Sequence, residues 1–306
     1  MKKIKLLIIG YSKFVEKRLI KSIKKIKKID YRVCSKSKKN KIIFYKDYLK
    51  GLNFKPDIVY ISLTNHLHYK YAKIFLKKGF NVIVDKPITD SLKKTLELIK
   101  IAKSKNLLLS EATLFNYHSI FKKILKILGG KKNIELLQSN FNIPQIRSLK
   151  KIKITKSDCF MDMSPYAAAL IRLYTNPKYL KINVDYKKFY RSKNIHSFYI
   201  FASDQKIRYF GNFSHNREYL SQIIFYSKRK MVFIPHQAFA LSPQKNIEII
   251  IKEKNEYKKL LIKKDDCILN YFNEVLKSII NNNFSKFYNL LIEDAKIRDN
   301  LYKKIK

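Results

Sequence analysis

The 306-residue chain has no tryptophan, three cysteines, six glycines and seven prolines, and its 23 acidic residues face 66 lysines and arginines. Cys34, Cys159 and Cys267 are odd in number, far apart and without a C-x-x-C pair. That excludes a disulfide framework and a zinc site, and it fits free thiols in a reducing, cytoplasmic compartment. No apolar run is long enough to span a bilayer, and the one within residues 1–10 is too short for a secretory core. There is no internal repeat and no low-complexity linker. The shortage of acid leaves a formal charge of +43, which alone would point to nucleic acid or an anionic membrane. Lysine, however, far exceeds arginine and is scattered along the whole chain. Together with abundant Ile, Asn, Tyr and Phe and little Gly, Pro and Ala, that reads as an AT-rich coding bias filling solvated faces. No specific nucleic acid and no membrane partner is expected.

What remains is a globular composition, 46% hydrophobic, in a length that suits two domains. Apolar runs at Ile4–Ile9, 31–34, 42–45, 57–63, Asn81–Val84 and 107–110 read as strands. Between them, helical spacing covers 14–26, 47–52, 68–78 and a stretch from Asp90 or Ser91, as cap, to about 104. The alternation predicts a Rossmann-type doubly wound parallel sheet. Past residue 116 the pattern changes. Helices are expected at 120–128 and 163–174, and strands at 134–141, 181–186, 197–202, 207–213, 222–226, 231–234 and 247–252. Turns fall at 203–205 and 254–255, and helices at 266–280 and 284–303 close the chain. The whole is read as α/β plus α+β. Residues 1–117 form a dinucleotide-binding domain, and residues 118–306 a substrate-binding and oligomerisation domain built on a large, mostly antiparallel open sheet.

The most informative stretch is NVIVDKPIT, residues 81–89. In an open α/β sheet, ligands sit outside the carboxyl ends of the strands. Asp85, Lys86 and Pro87 follow one such end, and the proline forces the chain to turn there. In so basic a protein, Lys86 could also be an ordinary surface lysine. At the first strand's end, Gly10-Tyr11-Ser12-Lys13-Phe14 is only part of a G-x-G-x-x-G fingerprint, because Ser12 and Val15 replace the second and third glycines.

Four segments in order, YISLTNHLH, GFNVIVDKPIT, LLLSEATLFNYH and DCFMDMSPYAAALIRLY, resemble the Gfo/Idh/MocA family of NAD(P)-dependent oxidoreductases. The family's P-N-x-x-H is matched by Thr64-Asn65-His66-Leu67-His68, with Thr in place of Pro, and its E-K-P by Asp85-Lys86-Pro87. Its E-A-x-x-x-R-x-H-P is matched from Glu111 to Ser119, with Asn116 and Ser119 in place of Arg and Pro. Its D-x-G-x-H/Y is matched from Asp162 to Tyr166, with Ser164 in place of Gly.

The resemblance implies hydride transfer between a nicotinamide and a carbon of a sugar or sugar derivative, nucleotide-linked sugars included. It implies Lys86 and Tyr166 as catalytic residues. Asp162, one helical turn before Tyr166, would bind a substrate hydroxyl or orient Lys86, or else be a helix cap. Cofactor contacts are expected from Gly10, Tyr11, Ser12, Lys13, Phe14, Leu63, Thr64, Asn65, His68, Asp85 and Lys86. After the second strand, Ser35, Lys36, Ser37 and Lys38 stand where an acid would bind the ribose of NAD. Hydroxyls and ammonium groups suit a 2′-phosphate, so NADP is expected, with NAD as the other choice. His196, His215 and His236 show no metal-ligand spacing, and no metal is expected. A homodimer or homotetramer is expected from the open sheet. The rival reading is a family member that has lost catalysis and serves as a nucleotide-sensing or regulatory module. A nucleic-acid-binding protein, resting on charge alone, is a third.

Overall fold

The protein is described by a computed structural model over residues 3–35, 44–45, 48–144, 158–190 and 192–305. Lys36, Ser37 and Lys38 lie outside the described residues. The chain forms two compact units. Residues 1–113 with 268–292 make the first, and 114–267 with 293–306 the second. The expected division at 117/118 falls near the first break, but packing counts residues 268–292 with the N-terminal unit.

Six strands make the first sheet: β1 (Ile4–Ile9), β2 (Ile29–Cys34), β3 (Phe44–Tyr45), β4 (Ile58–Ile61), β5 (Asn81–Val84) and β6 (Leu109–Glu111). The order is β3-β2-β1-β4-β5-β6, and all pairings are parallel. Every residue of β4 is buried, as a strand covered on both faces requires. The chain builds outward from β1 to β3 and then returns to β4 beside β1, so the strand order reverses between those two. After β1, a wide π-helical turn (Val15–Leu19) runs into α1 (Ile20–Ile23), in place of a single regular helix.

Helix α2 (Asn65–Lys77) follows β4 and ends at Gly79, whose φ of 87° is the left-handed conformation that closes a helix. Helix α3 (Leu92–Ser104) is capped by Ser91, which accepts from Lys94 N at 3.4 Å. Helix α6 (Cys267–Ile280) and the first turns of α7 (Ser285–Lys303) complete this unit. Tyr271 donates to Ser110 Oγ at 2.8 Å, Tyr288 donates to the Leu107 carbonyl, and Phe272 stacks on Tyr60.

The second unit contains α4 (Ile120–Ile127), β7 (Ile134–Asn142), α5 (Cys159–Tyr174) and β8 (Lys181–Lys188). Then come β9 (Ile195–Ser203), β10 (Arg208–Ser214), β11 (Leu220–Ser227), β12 (Lys230–Ile234), β13 (Ile247–Glu253) and β14 (Glu256–Ile262). The sheet order is β14-β13-β12-β11-β7-β10-β9-β8, antiparallel except for the parallel β7–β10 pair. One face is a continuous core. Phe198 and Phe213 stack at 4.9 Å, and Leu137, Ile200, Ile223, Phe225, Val232 and Ile249 are fully buried. The last strand, β14, is not among the expected strands, although the turn at Lys254–Asn255 before it is among the expected turns. Both turn residues have positive φ, 48° and 66°, as a tight hairpin needs.

Candidate active site

All strands of the first sheet are parallel, so their carboxyl ends share one edge. Gly10 leaves β1 at φ +93°, and a Cβ there would lie 2.1 Å from the Ser62 carbonyl oxygen. Only glycine lets the ends of β1 and β4 approach this closely. Ser12 then donates to or accepts from Ser62 Oγ at 3.1 Å, and its oxygen accepts from Val15 N at 3.2 Å. The serine in place of a second glycine thus ties the turn to β4 and satisfies one amide of the following helix. Tyr11, Ser12 and Phe14 are half-buried and Lys13 is exposed at this same edge. Burial, and then Glu16, pushes the Tyr11 hydroxyl above its ordinary range. Ser35, just past β2, is buried.

Lys86 sits at the next strand end, and its backbone is fastened on both sides. Before it, Asp85 N donates to Ile61 O at 2.9 Å, while the Asp85 carboxylate accepts from Ser62 Oγ at 2.5 Å and from the Tyr60 hydroxyl. After it, the Lys86–Pro87 bond is cis, the Pro87 carbonyl meets His68 Nδ1 at 2.7 Å, and Ile88 N donates to Glu111 Oε2 at 2.7 Å. Glu111 Oε1 accepts in turn from Thr113 Oγ1 at 2.7 Å. Burial raises the Asp85 carboxyl above the usual carboxylate range, against the hydrogen bonds from Ser62 and Tyr60 and the charges of His68 and Lys86. Burial, and then the Asp85 charge, pushes the Tyr60 hydroxyl well above its ordinary value.

Thr64 precedes α2 without a side-chain cap bond, and Asn65 opens the helix, half-buried. Leu63 contributes its carbonyl to His68 Nε2 at 2.9 Å. His68, expected among the cofactor contacts, is fully buried, and both its ring nitrogens face backbone carbonyls. Tyr60, Ser62 and Glu111 stand inside the quoted motifs, but their work of holding Asp85 and Ile88 is a product of the tertiary fold.

In the second unit, α5 begins one turn earlier than its apolar spacing indicates. Asp158 is its cap, accepting from Met161 N at 2.8 Å. The alternative role for Asp162 as the helix cap is therefore corrected: it lies within the first turn, where its Oδ2 is 3.1 Å from His215 Nε2. His215 is buried at the end of β10, and its backbone N donates to His196 O at 2.8 Å. One turn along α5, the half-buried Tyr166 ring is clasped by Phe115, Phe141 and Phe239, with centroids 5.7, 5.1 and 5.3 Å away. His118 is buried, and its Nδ1 accepts from Ile120 N at 3.1 Å. Burial lowers its pKa, against the pull of Asp265. Among the described residues, no group of three or more His, Cys, Asp or Glu is placed to hold a metal ion. No helix there is long and apolar enough to cross a membrane.

A parallel sheet whose strand order reverses beside a glycine turn, with that turn packed on the neighbouring strand end, defines a nucleotide-binding α/β domain. The close-approach glycine and the shared edge of strand ends fit a dinucleotide. Residues 4–113 match the Gfo/Idh/MocA model, described as an oxidoreductase family with an NAD-binding Rossmann fold. A dTDP-3,4-didehydro-2,6-dideoxy-alpha-D-glucose 3-reductase from Streptomyces violaceoruber is 31% identical over 90 residues, 29% of this chain and 26% of the relative. An NADP(+) scyllo-inositol 2-dehydrogenase from Bacillus subtilis is 36% identical over 72 residues, 24% of this chain and 22% of the relative. The alignments thus span about a quarter of the curated relatives' length. A solved 3-ketoreductase from Actinomadura kijaniata, in complex with TDP-benzene and NADP, shares the fold with a TM-score of 0.88 at 14% identity, over 99% of this chain and 98% of the other. A UDP-N-acetylglucosamine 3-dehydrogenase from Acidithiobacillus ferrooxidans shares it with a TM-score of 0.77 at 13% identity, over the full length of both.

Proposed function

We propose that this protein is an oxidoreductase that transfers a hydride between NADP and a carbon of a sugar or sugar derivative, with nucleotide-linked sugars the first class to test. The observation that carries the reading is Lys86, fastened through Asp85, Pro87 and Ile88 at a strand end of a dinucleotide-type sheet. The nicotinamide, when bound, supplies or accepts the hydride. The chain's residues manage charge and the proton. The Lys86 ammonium stabilises negative charge on the substrate oxygen. Tyr166, its ring fixed by three phenylalanines, carries the hydroxyl proposed to move the proton. Asp162, held by His215, accepts a hydrogen bond from a substrate hydroxyl. Gly10 to Phe14, Leu63 to Asn65 and Asp85 line the cofactor side. The NADP preference is supported by Ser35, Lys36 and Ser37 and by the NADP named for the inositol dehydrogenase and the ketoreductase.

We also propose that the protein works in the cytoplasm, in keeping with three buried cysteines that form no disulfide, and as a homo-oligomer. The second support is the outer face of the eight-stranded sheet. There, Phe201, Phe210, Gln138, Ile224, Phe233 and Ile250 form one cross-strand row, five of the six apolar and none fully buried. A chain with a charge of +43 leaves this row uncharged, which suits a second copy of itself. The test is NADPH oxidation with a panel of keto sugars and keto sugar nucleotides, and the reverse reaction with the alcohols. Turnover by the wild type that Lys86→Met loses supports the assignment. Lys86→Met turnover within a few-fold of wild type would remove Lys86 from it.

A further inference from the structure

We propose that His68 is a positioning residue that carries a proton on both ring nitrogens and, as a cation, fastens the carboxyl ends of β4 and β5 around Lys86. The link to Lys86 catalysis rests on the proposed function; the protonation state does not. The ring is 0% exposed, with Nδ1 at 2.7 Å from the Pro87 carbonyl and Nε2 at 2.9 Å from the Leu63 carbonyl. Both partners are backbone oxygens, which only accept. A neutral imidazole offers one N–H and one lone pair, so one of these contacts would set lone pair against lone pair inside the protein. The imidazolium donates at both.

A buried cation needs a counter-charge, and Asp85 supplies one. Its carboxylate is taken up by Ser62 Oγ at 2.5 Å and by the Tyr60 hydroxyl, both donors, so its charge is kept within the fold and balances His68. Lys86 is the like charge on the same segment, next to Asp85 in the chain, and the charges of both His68 and Lys86 act on the Asp85 carboxyl. The consequence is mechanical as well as electrostatic. Asp85 is tied to Tyr60 and Ser62, and Pro87 is tied through His68 to Leu63. Both flanks of Lys86 are thereby anchored to the end of β4.

The direct test is ring-nitrogen NMR of the full chain labelled with 15N-histidine, at about pH 7.5, where an ordinary histidine is neutral. His68 is assigned by the signal lost in His68→Gln. If that variant does not fold, it is assigned by elimination, replacing His66, His118, His196, His215 and His236 in turn. Both nitrogens of His68 protonated is the expected result, and one unprotonated nitrogen overturns the proposal. A thermal cycle with His68→Gln, Asp85→Asn and the double variant reads the charge pairing. The double variant should lose less than the sum of the singles, and strict additivity would count against the pair. Positioning is read from kinetics. His68→Gln should lower kcat about tenfold or more while NADPH affinity stays within about threefold. Loss of NADPH affinity in step with kcat would make His68 merely structural. An inactive wild type would defeat the proposed function, and the NMR and thermal results would still decide the protonation.

Discussion

The two sheets bury their apolar residues in different ways, and they offer functional side chains in different ways too. The parallel sheet is covered on both faces, so β4 is buried throughout and β1 nearly so. Nothing on those faces is available to a ligand, and the chemistry must come from the strand ends. There the backbone is pinned residue by residue, by Ser62 against Gly10, by Tyr60 and Ser62 on Asp85, by His68 on Pro87 and by Glu111 on Ile88. The eight-stranded sheet is covered on one face, and its strands alternate. In β11 the pattern of half-buried and buried residues is strict from Leu220 to Tyr226. Its candidate groups meet other side chains: the Tyr166 ring lies among three aromatic rings and the Asp162 carboxylate meets His215. Strand ends specify a backbone position, whereas a helix laid on a sheet specifies a ring plane.

Breaking each kind of placement should have different consequences. The largest effect is expected from Lys86→Met: turnover down about a thousandfold, with NADPH binding and thermal midpoint little changed. Next is Phe213→Ala, which opens a hole where Phe213 stacks on Phe198 in the core of the large sheet. Chemical denaturation should show a loss of about 3–5 kcal/mol. Tyr166→Phe should lower kcat about a hundredfold, while leaving folding intact because the ring keeps its three neighbours. Ile224→Lys, in the outer row of that same sheet, should cost within about 0.5 kcal/mol in the separated protomer. Light scattering after size exclusion should nevertheless find it shifted to monomer.

The smallest effect concerns His118. Burial lowers its pKa below 6.5, so the folded state binds fewer protons than the unfolded chain. Its contribution is present above about pH 6.5 and is lost as pH falls toward the folded value. His118→Gln should therefore show a shallower fall of thermal midpoint between about pH 7 and 5 than wild type.

The parallel sheet is legible in the sequence because buried parallel strands are short continuous apolar runs bounded by turn residues, as at Asn81–Val84. Strand β14 is not. In EYKKLLI, five of the seven residues are exposed, and an edge strand with a solvated face carries too little pattern to separate from a loop. The start of α5 is ambiguous because Asp158 and Asp162 are equally good caps on paper, and only the Met161 amide chooses between them. The return of residues 268–292 to the first unit is hidden for a similar reason. An apolar helix face says that it is buried but not against what, and here it is Tyr271 and Phe272 that meet Ser110 and Tyr60. The position of Lys86 just past a strand end is legible from the apolar run before it. The groups that hold it are not, because His68 reaches Pro87 across 19 positions and Glu111 reaches Ile88 across 23.

The most direct test of the central claim is titration of the purified full chain with NADPH and then NADH, followed by nicotinamide fluorescence, in salt high enough to screen nonspecific attraction to so basic a protein. The account predicts saturable binding of one dinucleotide per chain, tighter for NADPH, and abolished in Gly10→Ala, where the new Cβ would meet the Ser62 carbonyl at 2.1 Å. Failure of both dinucleotides to bind the wild type would contradict it.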